Sequence, residues 1–211
     1  STYTVPTAPL TAISNTQLLL NYTNGAIYDN SMIPDYETVG NAQISTSVKK
    51  YGTGSLAFDG SGDILKSPYK QEFNISSGNF TIETWVYYTT ATSYFHIGSM
   101  WDSGQLMWQL LINTSSGYVD FNTSSNGSAS TGDLQSGNGS LQPSTWYHIA
   151  VSRAGSTTKL FINGTQAASN SNTIYNGTSQ LAIGGRADGS YYGTGYVDDF
   201  RITKGYARYW E

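Results

Sequence analysis

Residues 79–88 read NFTIETWVYY. Phe80, Ile82, Thr84 and Val86 fall on one side of a period of two, and Thr81, Glu83, Trp85 and Tyr87 on the other, as an extended chain requires. β-Branched and aromatic residues dominate the stretch, which suits a pleated and half-buried surface. Working outward, short apolar runs of the same kind recur roughly every ten to fifteen residues, each bounded by Gly, Asn, Ser or Asp, the spacing of an all-β sandwich or barrel. Strands are expected at Gln17 to Tyr22, Ala42 to Ser45, Ser55 to Phe58, Ile64 to Lys66, Tyr94 to Ile97, Gln105 to Ile112 and Tyr118 to Thr123. Downstream, WYHIAVSR (146–153) and KLFING (159–164) read as a hairpin, and LAIGGR (181–186) and YVDDFRI (196–202) complete the series. Asn163-Gly164 predicts a tight turn of the primed kind, with positive φ at both residues. No stretch holds a 3.6-residue period beyond two turns, so helix is confined to a single turn near Pro68 to Glu72.

The composition agrees. The chain has 211 residues, of which 11% are charged and 14% aromatic, with 17 tyrosines and no cysteine. Disulfides, thiolate metal sites and a Cys nucleophile are thereby excluded. A net charge of −4 argues against a nucleic-acid partner, which needs a basic surface. No apolar run approaches the ~18 residues of a membrane-spanning helix. The chain opens on Ser1 and not on Met, so a processed product, an excised domain or a segment of a longer polypeptide is expected. Residues 1–16 carry two prolines and no period and read as an extended arm or linker; residues 17–211 read as one domain. The Ser-, Gly- and Asn-rich segment Asn122 to Leu141 reads as a long surface loop within it.

Seven strings, in order, resemble the laminin-G-like (concanavalin-A-like lectin/glucanase) jelly-roll family, in particular its pentraxin-related subgroup. They are LLLNYTNG with YDNS, YGTGSLAFDGSGD, NFTIETWVYY, WYHIAVSR, KLFINGT, LAIGGR and VDDFRITKGYARY, spanning about Leu18 to Tyr209. The opening YTVPTAPLTAI and the terminal RITKGYARY also resemble virion or tail-fibre polypeptides of marine phages. The resemblance implies a two-sheet antiparallel jelly-roll β-sandwich with very little helix. Phe58, Trp85, Trp146, Ile149, Val151, Phe161 and Ile183 are its expected core.

Hydrolase members of that family carry Glu-x-Asp-x-x-Glu on one strand, because glycoside cleavage needs paired carboxylates. The chain has only Glu37, Glu72, Glu83 and Glu211, none in that pattern. Glu83 reads as a polar residue on a solvated or partly covered strand face. Asp198 and Asp199, adjacent on a regular strand, would point to opposite faces. His96 and His148 read as strand histidines, and no Gly-x-Ser-x-Gly elbow supports a triad. No catalytic residue is expected, and the chain is expected not to be an enzyme.

The resemblance implies one metal site, for calcium, carried onto Asp29 and onto Asp198 or Asp199, to which the turn at Asn24 can add carbonyl oxygens. Glycan recognition is the leading functional expectation. The loops SYFHIGSMWDSG and RADGSYYGTG combine aromatics, which stack on sugar C–H faces, with polar partners for hydroxyls. Tyr94, Trp101, Asp102, Arg186, Asp188, Tyr191 and Tyr192 are the candidate ligand-binding residues. The expected setting is a virion surface or the extracellular space, with a glycan or host surface receptor as partner. Two other classes stay open: a structural or assembly protein contacting other virion proteins or itself through its arm and strand edges, and a glycoside hydrolase.

Overall fold

The computed structural model describes residues 1–23, 26–29, 35–90 and 94–210. The described chain is almost entirely β. In order it forms β1 (Thr16–Thr23), β2 (Ala26–Asp29), β3 (Glu37–Val39), β4 (Gln43–Ser45), β5 (Ser55–Asp59), β6 (Ile64–Ser67), β7 (Phe80–Tyr88) and β8 (Tyr94–Asp102). There follow β9 (Gln105–Asn113), β10 (Tyr118–Thr123), β11 (Gly132–Gln135), β12 (Tyr147–Ala154), β13 (Thr157–Ile162), β14 (Thr165–Asn170), β15 (Leu181–Ile183) and β16 (Thr194–Lys204). One 3₁₀ turn, Gln71–Phe73, stands beside the expected helical turn.

The strands make two antiparallel sheets. One runs β14-β13-β12-β7-β16-β1-β2, with β5 also on β16 and β4 on β5; the other runs β11-β10-β9-β8-β15-β6-β3. One continuous core fills the space between them, with Phe80, Ile82, Val86 and Tyr88 of β7 facing Ile97, Trp108, Leu110 and Phe121 of the second sheet. This is one of the two architectures that the strand spacing predicts, a sandwich, and the jelly roll that the family resemblance implies, its layers meeting through alternate residues. The β13–β14 hairpin turns on Asn163 (φ 49°) and Gly164 (φ 81°), both in the left-handed region, as the primed turn requires.

Four expectations change. The segment after Asn122 is not all loop: residues 132–135 pair with β10 and extend the second sheet. Of the expected core, Phe58, Ile149, Val151 and Ile183 lie between the sheets, but Trp146 is only half-buried and Phe161 belongs to a separate cluster with Ala150, Tyr209 and Tyr3. Trp85 is buried on the outer face of β7, against Tyr51 and His148.

Glu83 is the third correction, since it is fully buried and not solvated. Its face of β7 is roofed by Tyr3 and by Arg208 and Tyr209, from opposite ends of the chain. Glu83 Oε1 accepts from Arg201 Nε at 2.8 Å and Nη2 at 2.5 Å, and Arg208 Nε stands 3.2 Å away. The Tyr209 hydroxyl donates to Oε2, and His148 Nε2 lies at 3.5 Å, an electrostatic contact longer than a hydrogen bond. Burial pushes the carboxyl up, but His148, Arg201 and Tyr209 outweigh it and hold Glu83 at about 2. His148 is a buried strand histidine whose Nδ1 lies 2.7 Å from the Tyr3 hydroxyl, while its Nε2 has the Glu83 carboxylate as an electrostatic neighbour and no well-formed hydrogen bond among the described residues. Tyr3 also enters the edge of this sheet through its main chain, next to the Thr2–Thr165 bridge.

The fourth concerns Asp198 and Asp199. The register of β16 shifts between Asp198 and Arg201, and Asp199 takes φ 50°. This bulge lies where one edge of β16 changes partner, from β5 (Thr194 to Val197) to β1 (from Phe200). A bulge breaks the alternation of a strand, so both carboxylates line one small recess with Tyr22 and Tyr51.

Candidate functional site

The outer face of the second sheet is organised in rows. Across β8, β9 and β10 the pairing aligns Tyr94 with Asn113 and Tyr118, His96 with Leu111 and Asp120, and Ser99 with Gln109 and Asn122. In β10 the polar residues Tyr118, Asp120 and Asn122 alternate with buried Val119 and Phe121, so the strand's period of two puts them on the solvent side. The β15–β16 loop folds over these rows. It is closed by its own main chain, with Arg186 N donating to Ser190 O, Gly189 N to Arg186 O and Gly193 N to Gly184 O. Gly184 anchors it: its φ is 91° and a side chain there would overlap the Phe58 ring, while its N–H reaches His96 O at 3.0 Å.

Rows and loop together enclose a cavity of about 260 Å³ whose walls include Tyr94, His96, Gln109, Asp120, Arg186 and Tyr191. Tyr191 is 49% exposed and sits edge-on to Tyr94 at 6.0 Å. Arg186 lies over its ring at 5.2 Å and pairs with Asp188 at 2.6 Å. Burial pushes His96 down to about 4, with Arg186 helping and Gln109 and Asp188 opposing. Its Nε2 lies 3.0 Å from Gln109 Oε1; Nδ1 makes no well-formed hydrogen bond, although the Tyr191 main chain is near enough to favour the protonated ring. Burial, with Asp133 nearby, pushes Asp120 up to about 6 against the opposing pull of Asn122 and the Leu134 main chain. Asp120 Oδ1 and Arg186 Nε are also buried with no hydrogen-bond partner among the described residues.

Three of the candidate residues, Tyr94, Arg186 and Tyr191, therefore converge on one cavity, with Asp188 holding the arginine. Tyr192 turns its hydroxyl to Gly189 O at 2.6 Å and closes the loop. Trp101 is 4% exposed and outside the cavity, and Asp102 caps the β8–β9 hairpin by accepting from Ser103 N at 2.8 Å. The sequence reading passed over His96, Gln109, Tyr118, Asp120 and Asn122. The alternating Tyr118-Asp120-Asn122 stripe was the signal that could have found three of them.

The calcium expectation meets a different geometry. Asp198 Oδ2 accepts from Lys50 N and Tyr51 N, and its Oδ1 from Asp199 N. Asp199 Oδ2 accepts from Leu10 N and Oδ1 from Asn21 Nδ2. Every oxygen of the pair is thus engaged by an N–H, and the described residues gather no group of three or more metal-ligating His, Cys, Asp or Glu side chains. Calcium needs six to eight oxygens, so the described pair does not fit it as placed. The Asp29 side chain and Asn24 lie outside the described residues.

A family model described as the concanavalin A-like lectin/glucanases superfamily matches residues 59–207. The chain belongs to that superfamily. No curated protein matches it. Among solved structures, the botulinum neurotoxin serotype D binding domain superposes with a TM-score of 0.69 at 17% identity, over 90% of this chain and 48% of that one. A mutant described as HCR/D gives 0.69 at 17% identity over 92% and 48%. The binding domain of botulinum neurotoxin DC in complex with SialylT gives 0.67 at 14% identity over 90% and 47%. This chain spans about half the length of those structures, and at such identity the likeness is one of fold.

Proposed function

We propose that the chain is a non-enzymatic binding module that holds a glycan in the cavity over β8, β9 and β10. One observation carries this reading: two tyrosine rings and a stacked arginine stand beside buried polar atoms that have no hydrogen-bond partner among the described residues. Aromatic faces beside a few convergent polar groups are the make-up of a small-ligand site. The volume lies below the ~300–1,000 Å³ of drug-sized pockets, which suits one ring of a longer chain entering from the open side. A superfamily that includes lectins, and neighbours titled as binding domains, support the binding part of the reading. The proposed setting is a virion surface or tail fibre, on the resemblance of residues 3–13 and 201–209, with a host surface glycan as partner.

A glycan array followed by titration calorimetry tests it. Specific hits are expected, and Tyr191→Ala weakens them at least about tenfold, a loss of about 1.4 kcal/mol, with an unchanged melting temperature because the ring is half in solvent. An array without hits, or binding indifferent to Tyr191→Ala, overturns the reading.

A further inference from the structure

Resting on that reading, we propose that the cavity takes an uncharged sugar and discriminates against acidic ones. The chemistry of the unpaired atoms is the first argument. Asp120 Oδ1, as a carboxylate oxygen, accepts; Arg186 Nε donates. Both are buried, and each is costly to leave unmet. A sugar hydroxyl is donor and acceptor at once, so neighbouring hydroxyls answer both atoms. A carboxylate or sulfate group only accepts, and would close over Asp120 leaving Oδ1 still without a donor.

Charge is the second argument. Among the described lining residues Arg186 carries the permanent positive charge, and Asp188 already offsets it through Nη2 at 2.6 Å, with the Tyr191 ring beneath it, so Nε remains as a donor but the net charge of the pair is zero. Asp120 is part of the wall, and Asp133 on β11 stands opposite Asn122, near enough to disfavour the ionised form of Asp120. Burial keeps the His96 ring neutral near pH 7. An acidic sugar would therefore meet carboxylates beside a guanidinium whose charge Asp188 already offsets. Such unpaired or like-charge contacts are how sites reject a competing ligand.

The test sets neutral oligosaccharides against their sialylated, sulfated and uronic-acid counterparts, with the whole chain at pH 7.5. Neutral forms are expected to bind at least about tenfold more tightly than acidic ones, each tenfold being about 1.4 kcal/mol. Asp120→Asn is expected to weaken the neutral ligand and narrow the ratio. Should that variant not fold, Asp133→Asn, at an exposed position outside the cavity, also narrows the ratio by removing the neighbouring charge. Equal or tighter binding of acidic forms, still sensitive to Tyr191→Ala, overturns this inference and leaves the glycan site standing. An array on which neither class binds overturns both.

Discussion

The two outer faces of the sandwich carry the same raw material, polar residues at alternate positions of central strands, and use it oppositely. On the first sheet Glu83, His148 and Arg201 are sealed under Tyr3, Arg208 and Tyr209, and the carboxylate meets two guanidinium groups, a hydroxyl and an imidazole. The two nitrogens there without a well-formed hydrogen bond among the described residues, His148 Nε2 and Arg208 Nε, both stand within 3.5 Å of that carboxylate, so their charge partner is inside the cluster. On the second sheet His96 and Asp120 are nearly as buried, yet each keeps an atom without a hydrogen-bond partner among the described residues, and the cover is a half-exposed tyrosine loop. Buried polar groups are normally satisfied. A saturated cluster therefore reads as architecture, and an unsaturated one beside a cavity as a place for a ligand.

The sharpest way to break this comparison is to unbalance the saturated face. Glu83→Ala leaves Arg201 buried without its ion-pair partner, keeping among the described residues only the Thr11 carbonyl and the more distant Asp199, and breaking a buried pair in this way costs about 3–5 kcal/mol. At this chain length that is roughly 6–20 °C in melting temperature. Urea unfolding measures it, and glycan binding by the folded fraction should persist, since the site lies on the other sheet. A loss under about 1 kcal/mol, the worth of a surface ion pair, would return Glu83 to the solvated role its strand pattern suggests.

That strand pattern explains what the sequence made legible. The alternation in NFTIETWVYY is enough for the core face of β7, because a period of two follows from backbone geometry alone. It cannot say what covers the other face: the roof over Glu83 arrives from residue 3 and residues 208–209, and Thr-Glu-Trp-Tyr alternation looks the same under water or under a tyrosine. Asp198 and Asp199 were assigned to opposite faces by the same rule, which fails at a bulge set by a change of strand partner and not by local propensity. In the site, Tyr94, Arg186 and Tyr191 were legible as aromatic and polar residues on loops. His96 and Asp120 were not, because their meeting depends on the lateral order β8-β9-β10. Trp101 has the same chemistry as the tyrosines, but its burial removes it from use.

A smaller effect sharpens the comparison on the open face. Folding raises the Asp120 carboxyl from its ordinary 3.8 to about 6, so between those values the native state holds a proton that the unfolded chain has released. Stability from this group falls as pH rises across that window and stays lower above it. Glu83 runs the other way: it drops from 4.5 to about 2 on folding, so its contribution is present above 4.5 and is lost as pH falls toward 2. Asp120→Asn should raise the melting temperature at pH 7.5, by an amount of the order of the 2–4 °C that about 1 kcal/mol gives, and leave it unchanged at pH 3. A gain at pH 3 equal to that at pH 7.5 would mean that the carboxyl is not strained in the native state.

The smallest expected effect concerns the adjacent acids of β16. Asp198 and Asp199 are drawn together by the β16 bulge, as a metal site would need, yet their oxygens receive the N–H groups of Leu10, Lys50, Tyr51 and Asp199 and the amide of Asn21. These donors tie the arm, the loop before β5 and β1 to one strand, so the pair already resembles the saturated face more than the open one. A cation entering here would have to compete with N–H groups pointing at the same oxygens. After chelator treatment, millimolar calcium is expected to leave the melting temperature unchanged. A ligand at 100 times its dissociation constant adds about 2.7 kcal/mol to the native state, several degrees for a chain of this length. A rise of that size would show that these carboxylates, with Asp29, exchange their N–H partners for a metal, and would move the pair from the architectural side of the comparison to the ligand-binding side.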